Sequence, residues 1–254
     1  MDPGPRSTIT RLHDELDKLG VDRIDAVLIT HIHLDHVGGL GFLLHRHPET
    51  KVFCKPTSVR HLVDPSKLWA ASKKALGDLA DAYGSVEPCR EDVFVAPETV
   101  MEEGLFEIID TPGHASHHRC YKMDDILFVG EAAGVYYPRE EGIYLRLASP
   151  APFFYDVYRS SLLRIASLDV SHLCFGHYGH SDEPAAILDT ALRQVDCWVS
   201  ITKRHMESKS KPVEDEVFED ILKEDKAMSL FDGLPEDIQE RERFFAKKSI
   251  RGIC

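Results

Sequence analysis

The sequence predicts a layered α/β domain with a helical tail. Three observations point to it. Between residues 1 and 205, short apolar runs that fit buried strands alternate with longer stretches of helical spacing. Hydrophobic residues make up 43% and charged residues 29% of 254 positions, which is enough apolar material for a substantial core. After His205 the pattern changes to charged segments with modest helical periodicity. The expected division is therefore a main domain over 1–205 and a helical C-terminal extension over 206–254, packed on it.

The elements are expected in this order. Ser7 to Leu19 reads as a helix, capped by Ser7 or Thr8, faced by Leu12, Leu16 and Leu19 and ended by Gly20. Ile24 to Thr30 fits a buried strand, and an apolar helix is expected from Val37 to His45. Lys51 to Cys54 reads as a strand, and Ser58 to Tyr83 as helical. Short strands are expected at Val93 to Val95, Leu105 to Ile109, Arg119 to Met123 and Ile126 to Val129. Helix Phe154 to Ala166, strand His172 to Phe175 and helix Ala185 to His205 complete the main domain. The stretch Glu207 to Pro212 is polar, and tail helices are expected around Phe218, Ile221 and Leu222 and around Phe244, Phe245 and Ile250.

Composition narrows the function classes. The formal net charge is −13, without a dense Lys/Arg stripe, so no nucleic-acid surface is expected. No run of about 18 apolar residues occurs, and no membrane span is expected. The amino terminus Met1 to Arg6 lacks the basic and apolar stretches of a secretory signal. The six cysteines are widely spaced with no Cys-x-x-Cys pair, which fits reduced thiols in a cytoplasmic protein.

Histidine is the outlier, at 14 residues. The segment Thr30-His31-Ile32-His33-Leu34-Asp35-His36-Val37-Gly38-Gly39 packs four ligand-type side chains into six positions. In extended backbone, residues two apart point the same way, so His31 and His33 can share one cation. A turn after Leu34 can aim Asp35 and His36 at a neighbouring position. Imidazole nitrogen and carboxylate oxygen are the ligands that catalytic zinc prefers.

This His-x-His-x-Asp-His segment at a strand end resembles the signature of the metallo-β-lactamase superfamily. The resemblance implies an αββα four-layer sandwich. It also implies further ligands in a fixed order, and Asp110-Thr111-Pro112-Gly113-His114, Gly130-Glu131 and Phe175-Gly176-His177 match them. The implied metal set is His31, His33, Asp35, His36, His114, Glu131 and His177, holding two divalent ions, with zinc favoured and iron or manganese as alternatives. Glu131 departs from the family's usual aspartate, and its extra methylene moves the carboxylate by about 1.5 Å. The family's Asp-Pro-Gly-like turn, which usually follows paired strands, is here Asp2-Pro3-Gly4, so the resemblance implies that this sequence lacks those first strands, by truncation or by divergence. Their absence would leave a sheet edge open to homodimerisation.

The other histidines have plainer readings. His117 and His118 neighbour the ligand loop as supporting groups or strand residues, and His61 reads as an ordinary helix residue. His180 competes with His177, but His177 follows the family's Gly-His step. Tyr136, Tyr137 and Tyr178 follow ligands directly, as pocket wall or packing.

The implied mechanism is hydrolysis by a metal-bound hydroxide. Two cations about 3.5–4 Å apart lower the pKa of a shared water from 15.7 toward about 7. Asp35 is the catalytic residue, orienting the nucleophile and passing a proton to the leaving group. No Gly-x-Ser-x-Gly elbow and no phosphate-binding glycine loop occur. A small ester or thioester is the expected substrate, as in the glyoxalase II-like branch. The alternatives are an iron-dependent oxidoreductase on the same fold and a non-catalytic binding protein.

Overall fold

The computed structural model describes residues 1–96, 104–208 and 214–254. The chain forms two compact units, Met1–Ile108 and Ile109–Cys254. The division expected at 205–206 falls inside the second unit, and part of the polar stretch before Pro212 lies outside the described residues.

In unit 1, a 3-10 turn at Arg6–Thr8 leads into α1, Ile9–Lys18. Leu12 and Leu16 pack against the core, whereas Leu19 is exposed and Gly20 (φ +69°) turns the chain away. Thr8 does not cap α1, because its hydroxyl donates to the Pro5 carbonyl instead. Strand β1, Ala26–Leu28, runs parallel to β2, Lys51–Phe53, with Val27 beside Val52. A parallel pair needs a crossover. Two short helices supply it: α2, Leu34–Val37, and α3, Leu40–Arg46.

The helix expected from Val37 thus starts three residues earlier and breaks at Gly38–Gly39. The break has a tertiary cause: the Gly4 N–H donates to the His36 carbonyl (3.1 Å), and the Gly39 N–H to the Gly4 carbonyl (2.9 Å). A Cβ on Gly38 would collide with the Leu34 carbonyl and press on the Arg6 backbone. The expected helical stretch to Tyr83 is three helices, Pro56–Val63 (α4), Ser66–Leu76 (α5) and Asp78–Tyr83 (α6), interrupted near Pro65 and at Gly77 (φ +58°). In place of the strand expected at Val93 to Val95 there is a 3-10 turn, Glu91–Val93, and a single bridge from Phe94 to Val52.

The remaining strands among the described residues are β3 (Glu107–Asp110), whose first two residues close unit 1, and, within unit 2, β4 (Arg119–Met123), β5 (Ile126–Gly130), β6 (Val135–Arg139), β7 (Gly142–Arg146), β8 (His172–Phe175) and β9 (His180–Ser181). Five of them form one sheet in the order β3-β4-β5-β8-β9, and β6 and β7 form a separate antiparallel hairpin. The helices are α7 (Tyr155–Ala166), α8 (Pro184–Ser208), α9 (Glu214–Glu224) and α10 (Glu236–Ile253). The hairpin and β9 were not expected from the sequence. Trp198, Tyr144, Tyr158, Phe218 and Phe231 are fully buried in one cluster, so the tail helices share this unit's core. Of the tail residues expected to face inward, Phe218, Ile221 and Ile250 are buried, while Phe244 is exposed. Among the described residues no helix is long and apolar enough to cross a membrane.

Candidate metal centre

Each unit carries one half of the predicted ligand set. In unit 1, the chain leaving β1 reaches His31 and His33 in extended backbone, and Asp35 and His36 then occupy the single turn of α2. His31 and His36 are 1% exposed, so both rings are withdrawn from bulk water. The donor atoms of His31 and His33 lie within 4.8 Å of each other, as do those of Asp35 and His36. The His36 Nε2 to Asp35 Oδ2 distance is 3.7 Å.

Asp2 organises this half, a role that sequence reasoning missed. Its Oδ1 accepts from the Thr30 N–H (2.8 Å), and its Oδ2 from the Thr30 hydroxyl (2.7 Å) and from His36 Nδ1 (2.9 Å). The Thr30 hydroxyl has one proton and gives it to a carboxylate, so at 2.9 Å it accepts from His31 Nδ1. Both rings therefore bond these partners through Nδ1, so Nε2 is the nitrogen that would meet a cation. The signal was in Asp2-Pro3-Gly4, which reads as a turn but gives no hint of a partner about 30 residues on.

In unit 2, β5 and β8 run parallel, with Gly130 beside Phe175, and the Gly176 N–H donates to the Gly130 carbonyl at 3.0 Å. Glu131 and His177 thus leave the C-terminal ends of adjacent strands. The loop after β3 brings in His114, and its Gly113 is packed so closely on Tyr158 that a Cβ there would collide with the ring. Glu131 Oε2 is 2.9 Å from His114 Nε2, and Oε1 is 3.7 Å from His177 Nε2. One carboxylate oxygen therefore faces each imidazole.

His114 Nδ1 donates to the Ala148 carbonyl at 3.0 Å, since a carbonyl only accepts. Its Nε2 is directed at the Glu131 carboxylate, so an imidazole nitrogen and a carboxylate oxygen, both donors that metal ions take, face each other. Imidazoles held through Nδ1 and lying beside carboxylates are a donor chemistry that fits divalent metal ions.

His118 is excluded as a ligand because both of its nitrogens are engaged. Nε2 accepts from the Glu131 N–H (3.1 Å), so Nδ1 holds the proton and bonds the Thr111 hydroxyl (2.8 Å). Its neutral ring holds the Glu131 backbone. Burial, and then the negative charge of Glu131, push the Tyr158 phenol well above its ordinary value. Its hydroxyl is buried with no hydrogen-bond partner among the described residues. Burial likewise pushes the Cys120 thiol up to about 12, so this neighbour of Thr111 stays protonated and inert.

The remaining predicted residues fall where their plainer readings put them. His61 lies in α4 and accepts from Arg60 Nε, and His180 is exposed at β9, 3.9 Å from Asp182. Among the described residues, neither they nor His117 join a group of donors that could hold a metal ion. Tyr136 is buried and stacked on Phe175, while Tyr137 packs against Tyr178.

The fold and the two half-sites belong together in one class. Residues 2–177 match the family model of the metallo-beta-lactamase superfamily, and the chain belongs to that superfamily. A metallo-beta-lactamase fold-containing protein of Sulfurisphaera tokodaii is 34% identical over 167 residues, 63% of this chain and 62% of the relative. A hydroxyacylglutathione hydrolase of Francisella philomiragia is 25% identical over 165 residues, covering 62% and 50%. The matches thus span between half and 62% of the length of these curated relatives. The solved structure of an archaeal superfamily protein from Sulfolobus tokodaii aligns with a TM-score of 0.63 at 24% identity, over 92% of this chain and 82% of that one. That likeness shows the shared fold.

Proposed function

We propose that this protein is a cytoplasmic metal-dependent hydrolase of a small ester or thioester, with two divalent cations, zinc foremost, as its cofactors. His31, His33, Asp35 and His36 of the first unit, and His114, Glu131 and His177 of the second, would be the residues that hold them. The observation that carries this reading is the hydrogen bonding of His31, His36 and His114 through Nδ1, which makes Nε2 the nitrogen that would meet a metal ion. The substrate class draws on the relative named as a hydroxyacylglutathione hydrolase.

When bound, such ions supply an acidified water and a Lewis acid for the substrate oxygen. The chain's own residues do the rest. Asp35, partly open to solvent, would orient the attacking water and return a proton to the leaving group. Asp2 and Thr30 keep His31 and His36 in one tautomer, and His118 holds the backbone of Glu131. The buried, protonated thiols of Cys89 and Cys120, both pushed up to about 12, offer no competing nucleophile.

Elemental mass spectrometry of protein purified without chelators, followed by a thioester and lactone screen, tests the reading. The expected result is about two equivalents of zinc or manganese and a hydrolytic rate, with both lost in His33→Ala. Iron with oxygen consumption would replace it with an oxidoreductase. An active, metal-replete His33→Ala would overturn the site.

A further inference from the structure

The His114 ring is oriented by a carbonyl in the loop after β7, and α10 holds that loop at three points. At the first, the Glu242 carboxylate accepts from Arg146 Nε (2.5 Å) and from the Tyr144 hydroxyl (3.3 Å), while Arg146 Nη1 donates to the Leu147 carbonyl (3.1 Å). At the second, the Ser249 hydroxyl donates to the Leu147 carbonyl and accepts from the Ser149 N–H, both at 3.0 Å. At the third, Gly252 lies so close to Ser149, Pro150 and Ala151 that a Cβ would collide with the Ser149 carbonyl. Arg146, Ala148, Ser149, Glu242 and Ser249 are all buried.

The Ala148 carbonyl and the Ser149 N–H are opposite poles of one planar peptide unit. Ser249 grips one pole, and His114 Nδ1–H bonds the other at 3.0 Å. Rotating that peptide would break both bonds together. Hydrogen bonding at the N–H also polarises the carbonyl and makes it a stronger acceptor.

We propose that α10 positions the metal ligand: Ser249, supported by Glu242 and Gly252, fixes the Ala148 peptide that sets the orientation and tautomer of His114. Ser249 is thus a positioning residue for the centre, and the proposal rests on the metal-centre reading above. Its signature is a change at His114 that exceeds any change in overall stability.

The test uses the full chain with Ser249→Ala and Ser249→Thr. Zinc affinity is measured by chelator competition, the ligand field by cobalt(II) absorption, and the His114 Nδ1–H resonance by NMR of metal-free protein. Ser249→Ala is expected to weaken zinc binding roughly tenfold, alter the cobalt bands and shift or broaden the ring proton. Ser249→Thr, which keeps the hydroxyl, is expected to restore all three. Wild-type zinc affinity with an unchanged ring-proton resonance in Ser249→Ala would overturn the proposal, as would losses that threonine does not repair. If wild-type protein takes up no metal, the metal-centre reading fails by itself, and the ring-proton resonance still decides whether Ser249 governs His114. Should Ser249→Ala not fold, Gly252→Ala displaces the same peptide with Ser249 intact. Weakened zinc binding and a shifted ring proton in that variant would support the proposal, and wild-type values of both would overturn it.

Discussion

The two half-sites are built by different means. In unit 1 four ligand-type residues sit within six positions, and one carboxylate, Asp2, reaches two of them, His36 directly and His31 through Thr30. In unit 2 the ligands are dispersed along the chain, and each has its own support. His114 rests on the Ala148 carbonyl, Glu131 on His118 and His177 on the register of two strands. The first arrangement concentrates risk in one residue and needs little beyond local chain. The second spreads risk and draws on the whole unit, including α10.

The largest expected effect breaks unit 2 at its brace. Glu242→Ala leaves Arg146 buried and unpaired and is expected to cost about 3–5 kcal/mol in chemical denaturation. The same pair sets a pH dependence. Burial alone would raise the Glu242 carboxyl, but Arg146, and then Arg241, outweigh it and hold it below its ordinary 4.5. Its stabilisation is therefore fully present above about 4.5 and lost as pH falls through the lower folded value. The melting temperature of Glu242→Gln should fall less than that of wild type over that acid range. An identical acid profile would remove Glu242 from the account.

Next in size is Asp2→Ala, which tests the concentrated half. Removing one carboxylate frees two ligands and is expected to weaken binding of both ions by about 10–100-fold in a zinc titration. By contrast, His118→Ala releases only Glu131, so it should perturb binding less. Equal losses in the two variants would erase the contrast between the halves. The smallest effect is Tyr158→Phe, which deletes a hydroxyl without a partner among the described residues. It should leave metal binding unchanged and raise thermal stability by up to about 1 kcal/mol. A clear loss of metal would mean that Tyr158 supports Glu131 after all.

The same contrast explains what the sequence revealed. The segment His31 to His36 was legible because its chemistry is local, and the strands at Arg119, Ile126 and His172 were legible because their apolar runs are short and bounded. The break at Gly38–Gly39 was missed because contact with Gly4, distant in sequence, sets it. The hairpin of β6 and β7 was missed because Pro138 lies within it, and proline argues against a strand except at an edge. Asp2 was visible only as part of a turn. The Ala148 carbonyl could not be found at all, since every residue has one and only folding selects which is used.

Adjacent strands lie roughly 4.8 Å apart across a sheet. The parallel pairing of Gly130 with Phe175 therefore gives the roots of Glu131 and His177 a fixed pitch that no loop can alter. With the anchor points spaced like teeth on a comb, side-chain length becomes the adjustable part. An acid one methylene longer or shorter can be exchanged there without redrawing the backbone, so the reach of the carboxylate can drift while the scaffold stays still.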